Sequence, residues 1–142
     1  MYRSGYANRY ATGKQSESIV LPLIKEYFKR EIKPTEDKYD PFDFKDDMYN
    51  YELKTRNNTM KAYPTTMTTL NKCQPNSILL FKYTDALAYI EYDEERFKQY
   101  EVSQYSRYED KTARDHIFIP IEHLTPIQYK SVEGMLYPIL GT

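Results

Sequence analysis

The chain has 142 residues, the size of one domain with a real core, and 20 Lys+Arg stand against 21 Asp+Glu for a net charge near −1. Its single cysteine excludes an intramolecular disulfide and a cysteine-rich zinc site. No apolar run approaches the ~18 residues of a membrane span and no secretory pattern opens the chain, so an intracellular setting without membrane contact is expected.

Tyrosine dominates the aromatics, with 16 copies and no tryptophan. Its ring packs while its hydroxyl reaches water, phosphate or backbone. The abundance of Tyr, Asn, Lys and Ile suits an A+T-rich genome, as in many viruses and phages. Charge is unevenly spread: the first fifteen residues carry Arg3, Arg9 and Lys14 without an acid, whereas residues 91–95 read EYDEE. A near-neutral total leaves a nucleic-acid partner open, because opposite signs can occupy different faces.

In chain order, residues 1–15 hold two glycines and no aliphatic period, and are expected to form a flexible basic arm. A helix follows in SESIVLPLIKEYFKR, where Val20, Leu21, Ile24 and Phe28 recur at helical steps. Ser16 suits its cap and Glu17 its first turn, while Pro22 disturbs its start. PFDFKDDMYNYELKTR reads as a hairpin with Asp46 and Asp47 at its turn. TTMTTLNKC predicts a short helix capped by Thr65, although threonine is a mediocre helix former. SILLFKYTDALAYIEY predicts a second hairpin about Thr84-Asp85. The polar stretch from Asp93 offers a helical turn or two and then a mobile loop, HIFIPIEHL a strand, and TPIQYKSVEGML a last helix with Thr125 as cap and Pro126 at its first position. The sum is a single mixed α/β domain over 1–142, with helices packed on a mixed sheet.

Glu-x-Lys occurs at Glu31–Lys33, Glu52–Lys54 and Glu109–Lys111, and only the second lies on a convincing strand. Strand alternation puts Tyr49, Tyr51 and Leu53 on one face and Asn50, Glu52 and Lys54 on the other. If Asp43 pairs across the hairpin with Glu52, the turn centre falls at Asp47-Met48, and Asp43, Glu52 and Lys54 share a face. Two carboxylates that close repel unless a cation separates them, and magnesium, a hard ion that takes oxygen ligands, fits best. The plainer alternative is a solvated strand face with an ordinary ion pair. Asp40 is a competing ligand, but Pro41 suggests a strand entry and the odd spacing sets it on the opposite face from Asp43. Asp46 and Asp47 are turn residues. His116 and His123 lack the spacing of a zinc site, and Cys73 reads as a buried thiol.

FDF…YELKTR resembles the PD-(D/E)xK nuclease superfamily over roughly residues 14–83. The resemblance implies a restriction-endonuclease-like domain, with a mixed central sheet flanked by helices and a core of helix, three strands, second helix and further strand. Asp43 resembles the motif aspartate, although Phe42 replaces the preceding proline; Glu52 and Lys54 resemble its acid and lysine. Leu53 occupies the middle position, whose carbonyl can join the metal shell. Glu17, on the apolar stripe of the first helix, resembles an additional helix glutamate found in many members. The implied activity is Mg²⁺-dependent hydrolysis of DNA phosphodiester bonds, with Mn²⁺ able to substitute: Asp43, Glu52 and Leu53 hold the metal, and Glu17 and Lys54 join the catalytic set. Arg56, Lys61 and Lys72 would contact neighbouring phosphates, and Arg9 and Lys14 would clamp DNA from the arm. With no target-reading domain in view, structure-selective cleavage is expected, and branched substrates would suit a homodimer. The alternative within the same fold is an inactive DNA-binding or assembly subunit.

Overall fold

The computed structural model describes the backbone of residues 5–105 and 114–140, and the side chains of 13–104 and 115–140. Its elements in chain order are α1 (Gly5–Phe28), β1 (Lys33–Pro34), β2 (Phe44–Lys45), β3 (Asn50–Thr55), β4 (Thr65–Thr69), β5 (Ser77–Lys82), β6 (Leu87–Glu91), α2 (Glu94–Phe97), β7 (Glu101–Tyr105), β8 (Arg114–Pro120), β9 (Thr125–Pro126), β10 (Tyr129–Val132) and β11 (Met135–Pro138). The fold is mixed α/β, and mostly β. Arg3 and Glu109–Lys111 lie outside the described residues.

Helix α1 begins at Gly5, so residues 5–15 are helix rather than a flexible arm. Ala7 and Ala11 are the best of helix formers, and Gly13 is the one glycine in the helix interior, at a cost of ~1 kcal/mol. Ser16 is therefore not a cap, and Glu17 lies in mid-helix. Pro22 is tolerated inside the helix because it faces solvent; water can satisfy the Ser18 carbonyl that loses its N–H partner. The opposite stripe buries Val20, Leu23 and Ile24. At the C-terminus Lys29 takes a left-handed conformation (φ 56°) while the Arg30 N–H donates to Lys25 O at 3.3 Å, a Schellman closure. Lysine is strained there and glycine is not. Lys29→Gly is accordingly expected to stabilise the fold by about 0.5–1 kcal/mol, read as a higher urea midpoint at unchanged slope.

The main sheet has six strands in the order β1-β2-β3-β5-β6-β9, with β3 and β5 parallel and the other pairs antiparallel. Helix α1 and the β10–β11 hairpin cover one face over Ile24, Tyr51, Leu53, Ile78 and Leu80. The antiparallel sheet β4-β8-β7 covers the other over Leu79, Phe81, Ile90, Ile117 and Ile119. Burial on both faces explains why β5 reads as a continuous apolar run.

Three expectations fail here. TTMTT is strand β4, paired with β8 with Thr66 and Thr68 buried, and only a 3-10 turn, Leu70–Lys72, follows it. β-Branched threonine suits a pleated surface, and the remote partner β8 decides the outcome. The stretch read as a mobile loop contains β7, the edge partner of β8. The expected last helix is β9 plus a hairpin. Glu133 (φ 52°) and Gly134 (φ 81°) supply the two positive φ values of a type I′ turn between Val132 and Met135, and Pro126 sits on an edge strand. The crossover from β3 to β5 thus carries β4 where the superfamily core has its second helix. The two hairpins predicted in the middle of the chain, the helical turn after Asp93 and the HIFIP strand all form.

Candidate active site

Asp46 anchors the hairpin that builds the site. Its carboxylate accepts from Arg30 Nε (2.7 Å), from the Tyr51 hydroxyl (2.5 Å) and from the N–H groups of Met48 and Tyr49 (2.7 Å each). That closes the turn and fixes the register Phe44↔Tyr51. One step further along, Asp43 lies just outside the paired strand; its N–H donates to Tyr51 O at 3.0 Å, and its charge is near enough to act on Glu52.

Glu52 does not meet water. It is 6 % exposed and points to the face shared with Leu79 and the second sheet. Lys54 Nζ stands 3.4 Å from its Oε1, and Lys72 Nζ, reaching in from the crossover, 3.0 Å from its Oε2. The second contact places an ammonium at hydrogen-bond distance from a buried carboxylate oxygen. Burial and the charge of Asp43 raise the Glu52 pKa, against the pull of the two lysines. Lys72 also lies 5.3 Å from the centre of the Phe42 ring, which holds it over the carboxylate.

The Leu53 N–H donates to Asp43 Oδ2 at 2.8 Å. In the parallel ladder the even-numbered N–H groups of this strand face β5, as Asn50→Asn76 O and Arg56→Lys82 O mark at its two ends. The N–H and C=O of one strand residue point the same way, so the Leu53 carbonyl is also directed to the Asp43 side.

Glu17 is 19 % exposed on the inward stripe of α1 and pairs with Lys14 at 3.4 Å. Burial raises its pKa, and its contact with Asp43 adds to this. Glu17, Asp43 and Lys14 line one cleft of about 450 Å³. Asp40 lines it too, contrary to the strand-parity expectation. Residues 37–42 are successive turns, with the Asp40 carboxylate accepting from Phe42 N–H at 2.9 Å, so alternation does not apply to them.

Asp43 thus stands between two neighbourhoods, Glu17 in the cleft against α1 and Glu52 with Lys54 on the face turned to the second sheet, and Lys72, expected only as a phosphate contact, is a direct partner of Glu52. Nothing local in the sequence announces that approach. Arg56 donates to Met67 O and ties β3 to β4. Lys61 is exposed on a 3-10 turn. The backbone of Arg9 is helical, and its side chain lies outside the described residues. Burial pushes the Cys73 thiol up to about 11, which leaves little thiolate at neutral pH. His123 Nδ1 lies 2.7 Å from the Tyr100 hydroxyl.

Among the described residues no group of three or more His, Cys, Asp or Glu side chains is arranged to hold a metal ion by itself. The donors still fit a magnesium that retains several waters. They are oxygens, and the charge of Asp43 acts against that of both Glu17 and Glu52, a repulsion that a cation relieves. Among the described residues, no helix is long and apolar enough to cross a membrane. Compared with protein-family models, curated proteins and solved structures, the chain matches none.

Proposed function

We propose that the protein is a metal-dependent endonuclease that hydrolyses DNA phosphodiester bonds. The observation that carries this reading is Glu52: a buried carboxylate on a central strand, set beside the like charge of Asp43 and held by two lysines. Such a group costs stability and calls for a reason. Asp43, Glu52 and the Leu53 carbonyl would hold Mg²⁺, with Mn²⁺ as a substitute. When bound, the ion supplies Lewis-acid stabilisation of phosphate charge. Lys54, one-third exposed at the rim, can leave Glu52 to donate to a phosphoryl oxygen as negative charge builds on it. Lys72 is more enclosed, keeps the Glu52 charge compensated and positions the carboxylate. Glu17, half-buried beside Asp43 with a raised pKa, is placed to take up a proton.

One feature favours a second reading. Glu52 already has both lysines as counter-ions, so the same fold can persist as a DNA-binding or assembly subunit without chemistry. Labelled linear duplex, single-stranded, nicked, flap and four-way DNAs, incubated with magnesium, manganese or chelator, separate the two. The nuclease reading expects metal-dependent cutting that Lys54→Ala reduces by about 10²–10³-fold, the usual loss of a transition-state charge donor. Cutting that survives in Lys54→Ala would sink it, and metal-independent binding without cutting would support the subunit. The proposal includes a homodimer for branched substrates, which light scattering would reveal.

A further inference from the structure

The outer face of the small sheet carries large apolar side chains where a solvent-facing strand is ordinarily polar. Met67 and Phe118 stand directly opposite each other in the β4–β8 ladder and so share that face. Thr66, Thr68, Ile117 and Ile119 fill the other face, against the main sheet. Met67 and Phe118 line a cavity of about 370 Å³, in the range of small-ligand pockets. Tyr63, 63 % exposed, belongs to its wall, and Arg56, Asn58 and Thr65 are polar members of the lining. Among the described lining residues Arg56 is the one charged group, and none is acidic.

The wall is held in shape by its own hydrogen bonds. Asn58 O accepts from Thr84 N–H (3.1 Å), the Asp85 carboxylate from Met60 N–H (2.9 Å) and Pro64 O from Ile121 N–H (3.0 Å). Residues 58–64 are thereby fastened at both ends, and Arg56 is fastened through its bond to Met67 O. The pocket also has a fixed relation to Glu52. Arg56 N–H donates to Lys82 O at 2.8 Å, so the β3 ladder and its parity extend to this residue. Glu52, Lys54 and Arg56 therefore follow one another along one face, and four strand steps set Arg56 roughly 13 Å from Glu52.

Flat and polarizable walls suit a ring, and the amide and hydroxyl of Asn58 and Thr65 suit its polar edge. A guanidinium with no acid beside it in the lining suits a phosphate. A base still attached to its phosphate combines all three. We propose that this pocket takes one unpaired base of the DNA strand cut at Glu52, with Arg56 on the adjoining phosphate. This rests on the nuclease reading and names its substrate class: single strands, flaps and opened junctions, which present a base with uncovered faces. Inside a duplex both faces of every base are stacked on neighbours, so a paired base does not enter.

The chain has no tryptophan, so Tyr63→Trp places a single fluorescent reporter in the pocket wall. The full chain is titrated in calcium, a hard ion that takes the same oxygen donors. The probes are a labelled single strand, an abasic strand of equal length, a flap and a blunt duplex, with binding read by anisotropy of the label. The single strand and the flap are expected to quench the tryptophan, and the abasic strand and the duplex to leave it unchanged. In the tyrosine background, Tyr63→Ala should weaken single-strand and flap binding about tenfold, while Tyr63→Phe retains it. Abasic-strand and duplex affinities should stay within about twofold in both variants. Equal quenching by the abasic strand, or an unchanged single-strand affinity in Tyr63→Ala, overturns the inference and leaves the nuclease reading standing. Failure of the wild type to bind any probe overturns both.

Discussion

Glu52→Ala is expected to lower metal-dependent DNA cleavage by roughly 10³-fold or more, because even partners one shell out from a metal ligand typically contribute 10–100-fold. The charge at this position can be separated from its bulk. Alanine removes the counter-ion of Lys54 and of the largely buried Lys72, and breaking a buried pair costs about 3–5 kcal/mol at the upper end. Glu52→Gln keeps the volume and a hydrogen-bonding oxygen, and it also removes a charge that burial and Asp43 disfavour. The glutamine variant takes the same counter-ion from Lys54 and Lys72 but leaves no cavity, so it is expected to melt between the alanine variant and the metal-free wild type while losing activity like the alanine variant. A stable, inactive Glu52→Gln whose melting temperature no longer rises with added manganese would mark a group kept for binding rather than stability. An active Glu52→Gln would end the nuclease reading.

The raised pKa values of Glu17 and Glu52 set the acid side of the same profile. Both groups hold their protons to higher pH than ordinary carboxyls, and a cation binds only the ionised forms. Manganese affinity should accordingly fall away at a pH above the usual carboxylate range, and Glu17→Gln should shift that limb.

What was legible in the sequence was local or countable. β5 and β6 announce themselves by their apolar runs and a polar turn. The β2–β3 hairpin could be registered by counting from Asp43 to Glu52, and the prominence of Glu17 on an apolar stripe survives the change in where α1 begins. What stayed hidden depends on distant partners. β4 becomes a strand only because β8, some fifty residues later, pairs with it, and Lys72 reaches Glu52 only because the crossover folds back over β3. Asp40 escapes strand parity because side-chain-capped turns, which have no period of two, govern residues 37–42. The C-terminal hairpin turns at Glu133-Gly134, where only the glycine is a local signal and Glu133 takes a positive φ that its residue type does not announce.

Asp46→Ala is expected to destabilise the fold by about 3 kcal/mol or more, the largest effect outside the apolar core. The carboxylate is 2 % exposed and serves Arg30, Tyr51 and two backbone N–H groups at once. Alanine would leave the Tyr51 hydroxyl and both amides without their acceptor. Asp47, 93 % exposed, also touches Arg30, and Asp47→Asn should leave the urea midpoint unchanged. pH distinguishes the network from simple loss of packing. Burial alone would raise the Asp46 pKa, but Arg30, Tyr51 and the amides of Met48 and Tyr49 hold it well below the usual carboxylate range. Its contribution is then complete above the unfolded value of ~3.9 and is lost as pH falls toward the folded one. Tyr51 behaves in the opposite sense. Burial and Asp46 raise its phenol far above the ordinary range, so its contribution is complete below ~10 and declines as pH climbs beyond that. Wild-type stability should fall at both ends of the scale, and the difference between wild type and Asp46→Ala should be largest across the plateau between those limits and narrow outside it. A difference that stays constant from pH 3 to pH 11 would show that Asp46 acts by filling space and not by holding the hairpin, and with it the register of Asp43 and Glu52, through its charge.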